Sequence, residues 1–183
     1  MSAVRAGRPV GHHRPMPLTL RPPRPDDETA LLRLHDQLAP DGFAFLQHDG
    51  TWDQVLAAVR RESLGEDLAP GRVRCDFLVA DVDGVPVGRV SVRHELTDYL
   101  REIGGHVGYA VAPGHRRRGY ATAMLRQSVA LLATRGLARV LVTCDVDNVG
   151  SAAVIEACGG VLEDVRTRGD ETKRRYWIDV VHV

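Results

Sequence analysis

The sequence feature that most constrains the fold is the segment 104–134, in which a short apolar run leads through a basic, glycine-containing turn into a long amphipathic stretch. From Ala121 onward, apolar residues recur at intervals of three and four, the spacing that forms one continuous face of a helix. The pattern therefore predicts a strand, a sharp turn and a helix that begins near Gly119 and Tyr120.

The turn before this predicted helix has the character of an anion-binding site. Arg116, Arg117 and Arg118 precede Gly119, and a helix N-terminus adds unpaired backbone N–H groups and the positive end of the helix dipole. Glycine permits the backbone angles that a chain needs to curl around a phosphate, which a Cβ would obstruct. Because neither G-x-x-x-x-G-K-[ST] nor G-x-G-x-x-G occurs here, the turn predicts a phosphate site that is neither a Walker nor a Rossmann loop.

The rest of the chain alternates predicted strands and helices. Asp83 and Gly84 are a strong hairpin signal between two of the strands. Residues 1–17 are rich in Pro, Gly, Arg and His without periodicity, which predicts a disordered leader before a single domain at 18–183. The predicted order is β-α-α-β-β-β-α-β-α-β-β, with strands at 18–21, 73–80, 85–94, 108–113, 139–144, 161–166 and 173–182, and with the second and fourth helices at 52–64 and 151–158.

Composition excludes several classes of function. The chain of 183 residues carries 24 Lys and Arg against 24 Asp and Glu, so its overall charge does not indicate a nucleic acid or an acidic membrane as partner. No apolar run approaches the ~20 residues of a membrane span. The three cysteines lack a C-x-x-C spacing and no H-E-x-x-H string is present, which predicts reduced thiols, a cytoplasmic location and no metal site.

The turn resembles the R/Q-x-x-G-x-G/A pyrophosphate loop of the GNAT superfamily, the acyl-CoA-dependent N-acetyltransferases. The three fixed positions of that motif are occupied here by Arg116, Gly119 and Ala121. Residues 108–113 look like the fourth strand of that superfamily, which runs directly into the loop, and the resemblance in element order covers 18–183. It implies the GNAT fold, an α/β fold with a central mixed β-sheet of about seven strands. Four helices flank the sheet, which is splayed between its fourth and fifth strands.

The resemblance also implies acetyl-CoA as co-substrate, without a metal. It places the backbone of Val111, Ala112 and Pro113 beside the pantetheine arm, with the N–H near Val111 directed at the thioester oxygen. Asn148 matches the position that hydrogen-bonds this arm, and an asparagine there is equally typical of a helix N-cap. The residues implied around the pyrophosphate are Arg116, Arg117, Arg118, Gly119, Tyr120, Ala121 and Thr122.

The implied reaction is direct attack of an amine on acetyl-CoA in a ternary complex. An ammonium is no nucleophile, so a base has to remove a proton before attack. His106 lies two residues before Gly108, where many superfamily members carry a glutamate, and it is the predicted base. The alternative is a structural histidine bonded to a neighbouring backbone group. Glu102 and Asp145 are the further carboxylates considered for this role.

The general acid is less well defined, because the chain departs from the superfamily in the fourth helix. Many members have a tyrosine seven residues after the asparagine, placed to protonate the leaving thiolate, and here that position is Ile155. Tyr176 is the predicted acid, with Tyr109 or water as alternatives. A tyrosine next to Trp177 in a strand is more often a packing residue.

The sequence thus predicts an N-acetyltransferase that acts on a primary amine of a small molecule, amino acid or peptide, as a monomer or homodimer. A non-catalytic acyl-CoA-binding sensor is the alternative. An RNA-binding module is disfavoured, because no aromatic-rich basic face accompanies the arginines. The predicted acceptor loops are 39–51 and 96–105, and their acidic residues favour a cationic acceptor: Asp41, Asp49, Asp98 and Glu102.

Overall fold

The computed structural model describes residues 18–180, which form one mixed sheet with helices on both faces. The predicted leader at 1–17 lies outside the described residues. The strands are β1 (Thr19–Arg21), β2 (Cys75–Val82), β3 (Val85–Arg93), β4 (Val107–Val111), β5 (Arg139–Asp145), β6 (Gly160–Arg168) and β7 (Glu171–Asp179). The longer helices are α1 (Glu28–Leu38), α2 (Trp52–Leu64), α3 (Tyr120–Thr134) and α4 (Val149–Ala157).

The predicted seven-stranded mixed sheet is confirmed within these described residues. Its strand order is β1-β2-β3-β4-β5-β7-β6. The β4–β5 pair is parallel and the other neighbours are antiparallel. Short helical turns at Pro25–Asp27, Ala39–Asp41, Leu100–Gly104 and Pro113–His115 complete the connections.

Local sequence signals set several of the element boundaries. Helix α2 begins after Thr51, whose hydroxyl accepts from the N–H of Gln54 in a capping box. The hairpin between β2 and β3 turns at Asp83 and Gly84 with φ angles of 52° and 80°, the two positive values that this tight turn needs. Helix α4 begins at Val149, two residues earlier than predicted, because Asn148 serves as its N-cap.

Two hydrophobic cores lie on opposite faces of the sheet. Met124, Leu125 and Leu132 of α3 and Ile155 of α4 pack against one face. Helices α1 and α2 cover the other face through a second cluster. Its buried members are Leu31, Leu34, Leu38, Phe45, Trp52, Val55, Val59, Phe77, Val79 and Ala112. Since alternate residues of a strand point to opposite faces, β4 contributes to both cores.

Strands β4 and β5 separate soon after they meet. Within residues 18–180 they pair at one position, Val107 opposite Val142, while β4 stays paired with β3 as far as Val111. The remaining half of β4 therefore has an open edge. This gap between parallel strands is the splay that the resemblance implied, and the candidate site lies in it.

None of the helices within residues 18–180 is long and apolar enough to cross a membrane.

Candidate functional site

A cleft of about 970 Å³ occupies the gap between β4 and β5 and extends to the start of α3. It reaches both faces of the sheet, because Phe43 and Ala110 belong to the α1/α2 side and Tyr109 and Tyr120 to the α3/α4 side. Its walls are made by the loop after α1, strand β4, the loop before α3, the end of β5 and the first half of α4. The lining residues used below are Leu38, Asp41, Gly42, Phe43, Tyr109, Ala110, Val111, Arg116, Arg117, Gly119, Tyr120, Ala121, Thr122, Asp145, Asn148, Ser151 and Lys173.

The loop before α3 presents a row of unused backbone donors. Arg117 and Gly119 have φ angles of 62° and 80°, and such left-handed residues turn successive N–H groups toward one point. The first backbone bond of the helix runs from the N–H of Ala123 to the carbonyl of Gly119. Within the part of the chain that the structure describes, the N–H groups of residues 117–122 have no backbone acceptor. The loop thus has the backbone donors that a phosphate needs, and its role as a phosphate site stays a prediction.

The three arginines of this loop differ in their hydrogen-bond and ion-pair partners. Arg116 donates from Nε to the carbonyl of Val111 at 3.2 Å and forms an ion pair with Asp41. Arg118 donates to the carbonyl of Gly114 at 3.2 Å and does not line the cleft. Arg117 lines the cleft, and its guanidinium has no hydrogen-bond partner among the described residues. Among the described residues, Arg117 is therefore the arginine of this loop that lines the cleft without being bonded to another residue.

The backbone of β4 directs donors into the gap at alternate positions. The N–H of Arg93 donates to His106 and that of Ala112 to Val87, at 2.8 and 2.9 Å. Since hydrogen-bonded pairs alternate with non-bonded pairs in an antiparallel ladder, the N–H of Val111 points away from β3, toward the open edge. The backbone of Ala112 and Pro113 was also predicted beside the pantetheine; neither residue is part of the cleft wall, and their role stays a prediction.

Of the two roles that its sequence position left open, the structure shows Asn148 as a helix N-cap, and its contact with the cofactor stays a prediction. Its Oδ1 accepts from the N–H of Ser151 at 2.9 Å, so it caps α4. The residue also lines the cleft. The capping bond uses the oxygen, and the amide nitrogen has no hydrogen-bond partner within residues 18–180.

His106, the predicted base, is a buried residue beside the cleft and not in its wall. Its Nδ1 accepts from the N–H of Leu141 at 2.9 Å, which requires the neutral ring with its proton on Nε2. Burial lowers the pKa of His106 to about 4. In this arrangement neither ring nitrogen has a free lone pair, so the geometry favours the structural alternative, and the catalytic role stays a prediction.

Tyr176 and Ile155 are likewise packed away from the cleft. Tyr176 is 1% exposed, and its hydroxyl donates to Glu156 at 3.3 Å. Burial raises the pKa of this hydroxyl. Ile155 is fully buried in the core under α4. Neither side chain lines the cleft, so the role of Tyr176 as acid stays a prediction.

The polar side chains that do line the cleft include some that the sequence did not single out. The hydroxyls of Tyr109 and Ser151 are 2.8 Å apart, and burial raises the pKa of Tyr109 to about 12. Asp145, at the end of β5, is paired with Lys173 of β7 at 2.5 Å. Ser151 and Lys173 had no local signal, because only the helix start and the β5–β7 register bring them here.

Other titratable groups predicted for the site lie elsewhere. Glu102 does not line the cleft and pairs with Arg168 at 3.1 Å. The described residues contain no group of His, Cys, Asp and Glu that could hold a metal ion. Among them, Cys75, Cys144 and Cys158 are free thiols.

Comparison with known proteins identifies the family to which this fold and cleft belong. The sequence pattern of the GNAT acetyltransferase domain matches residues 17–161. The chain therefore belongs to the GNAT acetyltransferase family. A sequence comparison with curated proteins finds no match.

Solved structures share the fold at low sequence identity. RimJ from Mycobacterium smegmatis, in complex with CoA-disulfide, is 24% identical with a TM-score of 0.67, over 88% of this chain and 81% of that one. RimL, a ribosomal L7/L12 alpha-N-protein acetyltransferase, is 19% identical with a TM-score of 0.64, over 89% and 90% of the two chains. The microcin C7 self-immunity acetyltransferase MccE, in complex with acetyl-CoA and AMP, is 16% identical with a TM-score of 0.62, over 89% and 92%.

Proposed function

We propose that the protein transfers an acetyl group from acetyl-CoA to a primary amine, by direct attack within a ternary complex. The observation that carries this proposal is the continuity of the cleft. It joins the N–H donors of residues 117–122 to the open edge of β4 in a single space. A long substrate with an anionic end and an amide-rich arm fits such a space.

Acetyl-CoA would lie with its pyrophosphate at the start of α3. The N–H groups of residues 117–122 and the guanidinium of Arg117 supply the donors and the charge. The open edge of β4 and Asn148 supply groups for the pantetheine arm. The complexes of RimJ with CoA-disulfide and of MccE with acetyl-CoA support this choice of ligand.

The N–H of Val111 is the donor best placed for the chemical step. Attack on the thioester develops negative charge on the carbonyl oxygen, and a preorganised backbone donor stabilises that charge without reorganising. The carbonyl of Val111, in the next peptide group along the chain, is bonded to Arg116, which constrains the backbone directly after this donor.

Two proton transfers accompany the reaction. The amine loses a proton, and the thiolate of CoA gains one. His106 and Tyr176 are the sequence predictions for these tasks. Inside the cleft, Asp145 is a carboxylate for the first task, and the Tyr109–Ser151 pair supplies hydroxyl groups for the second. We favour the residues of the cleft, since a group has to reach the reacting atoms in order to exchange protons with them.

A non-catalytic acyl-CoA sensor is the second function considered, and Ile155 at the usual tyrosine position is the feature that favours it. The two functions differ in turnover. Purified protein with acetyl-CoA and a panel of primary amines should release free thiol in an amine-dependent manner. The panel should contain small amines, amino acid amides and peptides with a free N-terminus. Tight binding of acetyl-CoA without amine-dependent thiol release would instead establish the sensor.

A further inference from the structure

The cleft has an apolar end on the α1/α2 side of the sheet, and this end is a natural place for the acceptor. Helices α3 and α4, beside which acetyl-CoA is proposed to lie, pack on the opposite face of the sheet. The small and apolar residues that line this end are Leu38, Gly42, Phe43 and Ala110, and Asp41 lines the cleft beside them. Of the two predicted acceptor loops, residues 39–51 therefore contribute to the cleft, whereas residues 96–105 do not line it.

The charges that favoured a cationic acceptor are not available in this part of the cleft. Asp41 is paired with Arg116, and Glu102 is paired with Arg168. Asp49 and Asp98 do not line the cleft. The acidic residues of the two loops therefore do not form an acidic pocket for the acceptor.

The aromatic ring in this wall is stacked on a buried cation. The guanidinium carbon of Arg89 lies 4.5 Å from the ring centre of Phe43, and it also lies over the rings of Phe45 and Phe77, at 5.9 and 5.3 Å. Its Nη2 donates to the carbonyl of Ala44 at 2.6 Å. One guanidinium thus contacts three consecutive residues of the loop, 43–45.

Among the described residues, Arg89 does not form an ion pair. It is 2% exposed, it has no carboxylate within 4 Å among the described residues, and its Nε makes no hydrogen bond there. Its other hydrogen bond goes to the hydroxyl of Ser91. Burying a guanidinium without a counter-ion is costly, and burial lowers the pKa of Arg89 to about 9. The compensation comes from the rings and from the loop carbonyl.

The loop is also held by Phe45, which is fully buried in the second core, and by the Asp41–Arg116 ion pair. The N–H groups of Gly42 and Phe43 donate to Ala39 and Leu38 at 3.0 and 3.4 Å. Further along, the N–H of Leu46 donates to His35 at 3.2 Å. Among these contacts, the stacking on Arg89 acts on the Phe43 ring itself.

We propose that the acceptor amine carries an apolar group that packs on Phe43, and that Arg89 is a positioning residue that holds this ring in the wall of the cleft. The inference rests on the proposed acetyltransferase function and adds the class of acceptor to it. Arg89 touches no substrate. It acts through the ring and the carbonyl of residues 43–45.

The acceptor class is tested with two amines that differ in the group opposite the amine. We expect a kcat/KM at least tenfold higher for 2-phenylethylamine than for 1,4-diaminobutane, because the second ammonium would lose its hydration beside Phe43, where the nearby carboxylate of Asp41 is already paired with Arg116. Phe43→Ala should remove most of this preference and leave the KM for acetyl-CoA within twofold. Equal kcat/KM values, or a preference for the diamine, would overturn the proposal.

The positioning role is tested with Arg89→Met, which keeps the length of the side chain and removes the charge. We expect the KM for 2-phenylethylamine to rise at least fivefold and amide hydrogen exchange in residues 42–47 to accelerate. The KM for acetyl-CoA should change less than twofold. Arg139→Met is the matched control, because Arg139 stacks on Trp177 at 4.8 Å on the exposed surface, and it should alter none of these values. Unchanged exchange and KM in Arg89→Met would contradict the role.

The failure of this inference can be distinguished from failure of the proposed function. If no amine is acetylated, binding of 2-phenylethylamine and of 1,4-diaminobutane to the CoA complex is measured by calorimetry. Preferential binding of the aromatic amine, lost in Phe43→Ala, would support the pocket even in a protein that does not turn over. Absence of binding by both amines would overturn the acceptor class as well.

Discussion

The hydroxyl of Tyr109 lies 2.8 Å from Oγ of Ser151 and connects the open edge of β4 to the first turn of α4. Both residues line the cleft. The contact brings a proton-donating pair to the gap on the side where acetyl-CoA is proposed to lie. It offers an alternative to the missing tyrosine at Ile155.

We predict that Tyr109→Phe lowers kcat by at least tenfold with little change in the KM for acetyl-CoA. The substitution keeps the ring and deletes only the hydroxyl, whose pKa of about 12 keeps it protonated at neutral pH. Steady-state kinetics with a reactive amine provide the measurement. Tyr176→Phe is the companion variant. A large loss there, with full activity in Tyr109→Phe, would assign the acid to Tyr176. Full activity in both variants would leave water as the proton source.

We predict that Gly119→Ala weakens acetyl-CoA binding at least tenfold, about 1.4 kcal/mol. A residue with a Cβ is strained at a φ of 80°, so the loop that aims the N–H donors is expected to rearrange. Gly136→Ala is a matched control. Gly136 follows the other end of α3 with a φ of 85°, and neither glycine has an atom within 4 Å of a Cβ built on it. Calorimetry should show unchanged affinity in the control. An equal loss in both variants would mean that general destabilisation, and not the loop, is responsible.

We predict that the free energy of unfolding decreases as the pH falls from about 6.5 to about 4, because of the lowered pKa of His106. Burial lowers its pKa in the folded state to about 4, whereas the unfolded chain takes up the proton near pH 6.5. The unfolded state therefore binds more protons in this window, and folding stability decreases by up to roughly 3 kcal/mol. Urea unfolding across this pH range measures the effect.

His106→Gln should flatten that pH dependence, because glutamine does not titrate. The same variant tests the predicted catalytic role. A general base accounts for about 10²–10⁴-fold in rate, so a loss of that size at pH 6–9 with an intact fold would establish His106 as the base. Retention of wild-type kcat would place the base elsewhere, and Asp145→Asn would be the next variant to examine.

We predict that Asp27→Asn destabilises the protein by about 1.5–3 kcal/mol, since it removes hydrogen bonds to a charged partner in a largely buried place. Arg21 donates to both Asp27 and Asp81, at 2.6–2.8 Å. The hydrogen bond to Arg21 lowers the pKa of Asp27. This stability is consequently present above the ordinary pKa of an aspartate and is lost as the pH falls through the lower folded value.

Asp179→Asn is the control for this prediction. Asp179 also pairs with an arginine, Arg139, but its side chain is 77% exposed, and exposed pairs contribute little. Its unfolding curve should coincide with that of the wild type at pH 7. Equal effects of the two substitutions would contradict the importance of burial at Asp27.

Local sequence signals were sufficient for the central strand, turn and helix. The spacing of apolar residues after Ala121 and the glycine at 119 determine a helix that begins at Tyr120. Asp83 and Gly84 determine their hairpin. These features depend on the residues' own backbone preferences and on neighbours a few positions away, which is why the sequence by itself decided them.

Only the tertiary structure decided which residues line the cleft. His106 and Tyr109 are three residues apart on one segment, yet His106 bonds to the backbone of β5 and Tyr109 faces the gap. Which of them reaches a substrate depends on where β5 leaves β4. Phe43 and Arg89 are 46 positions apart in the sequence. They are in contact because α1 and the loop after it pack over the sheet. Such contacts arise from strand register and long-range packing, for which no short stretch of sequence carries a signal.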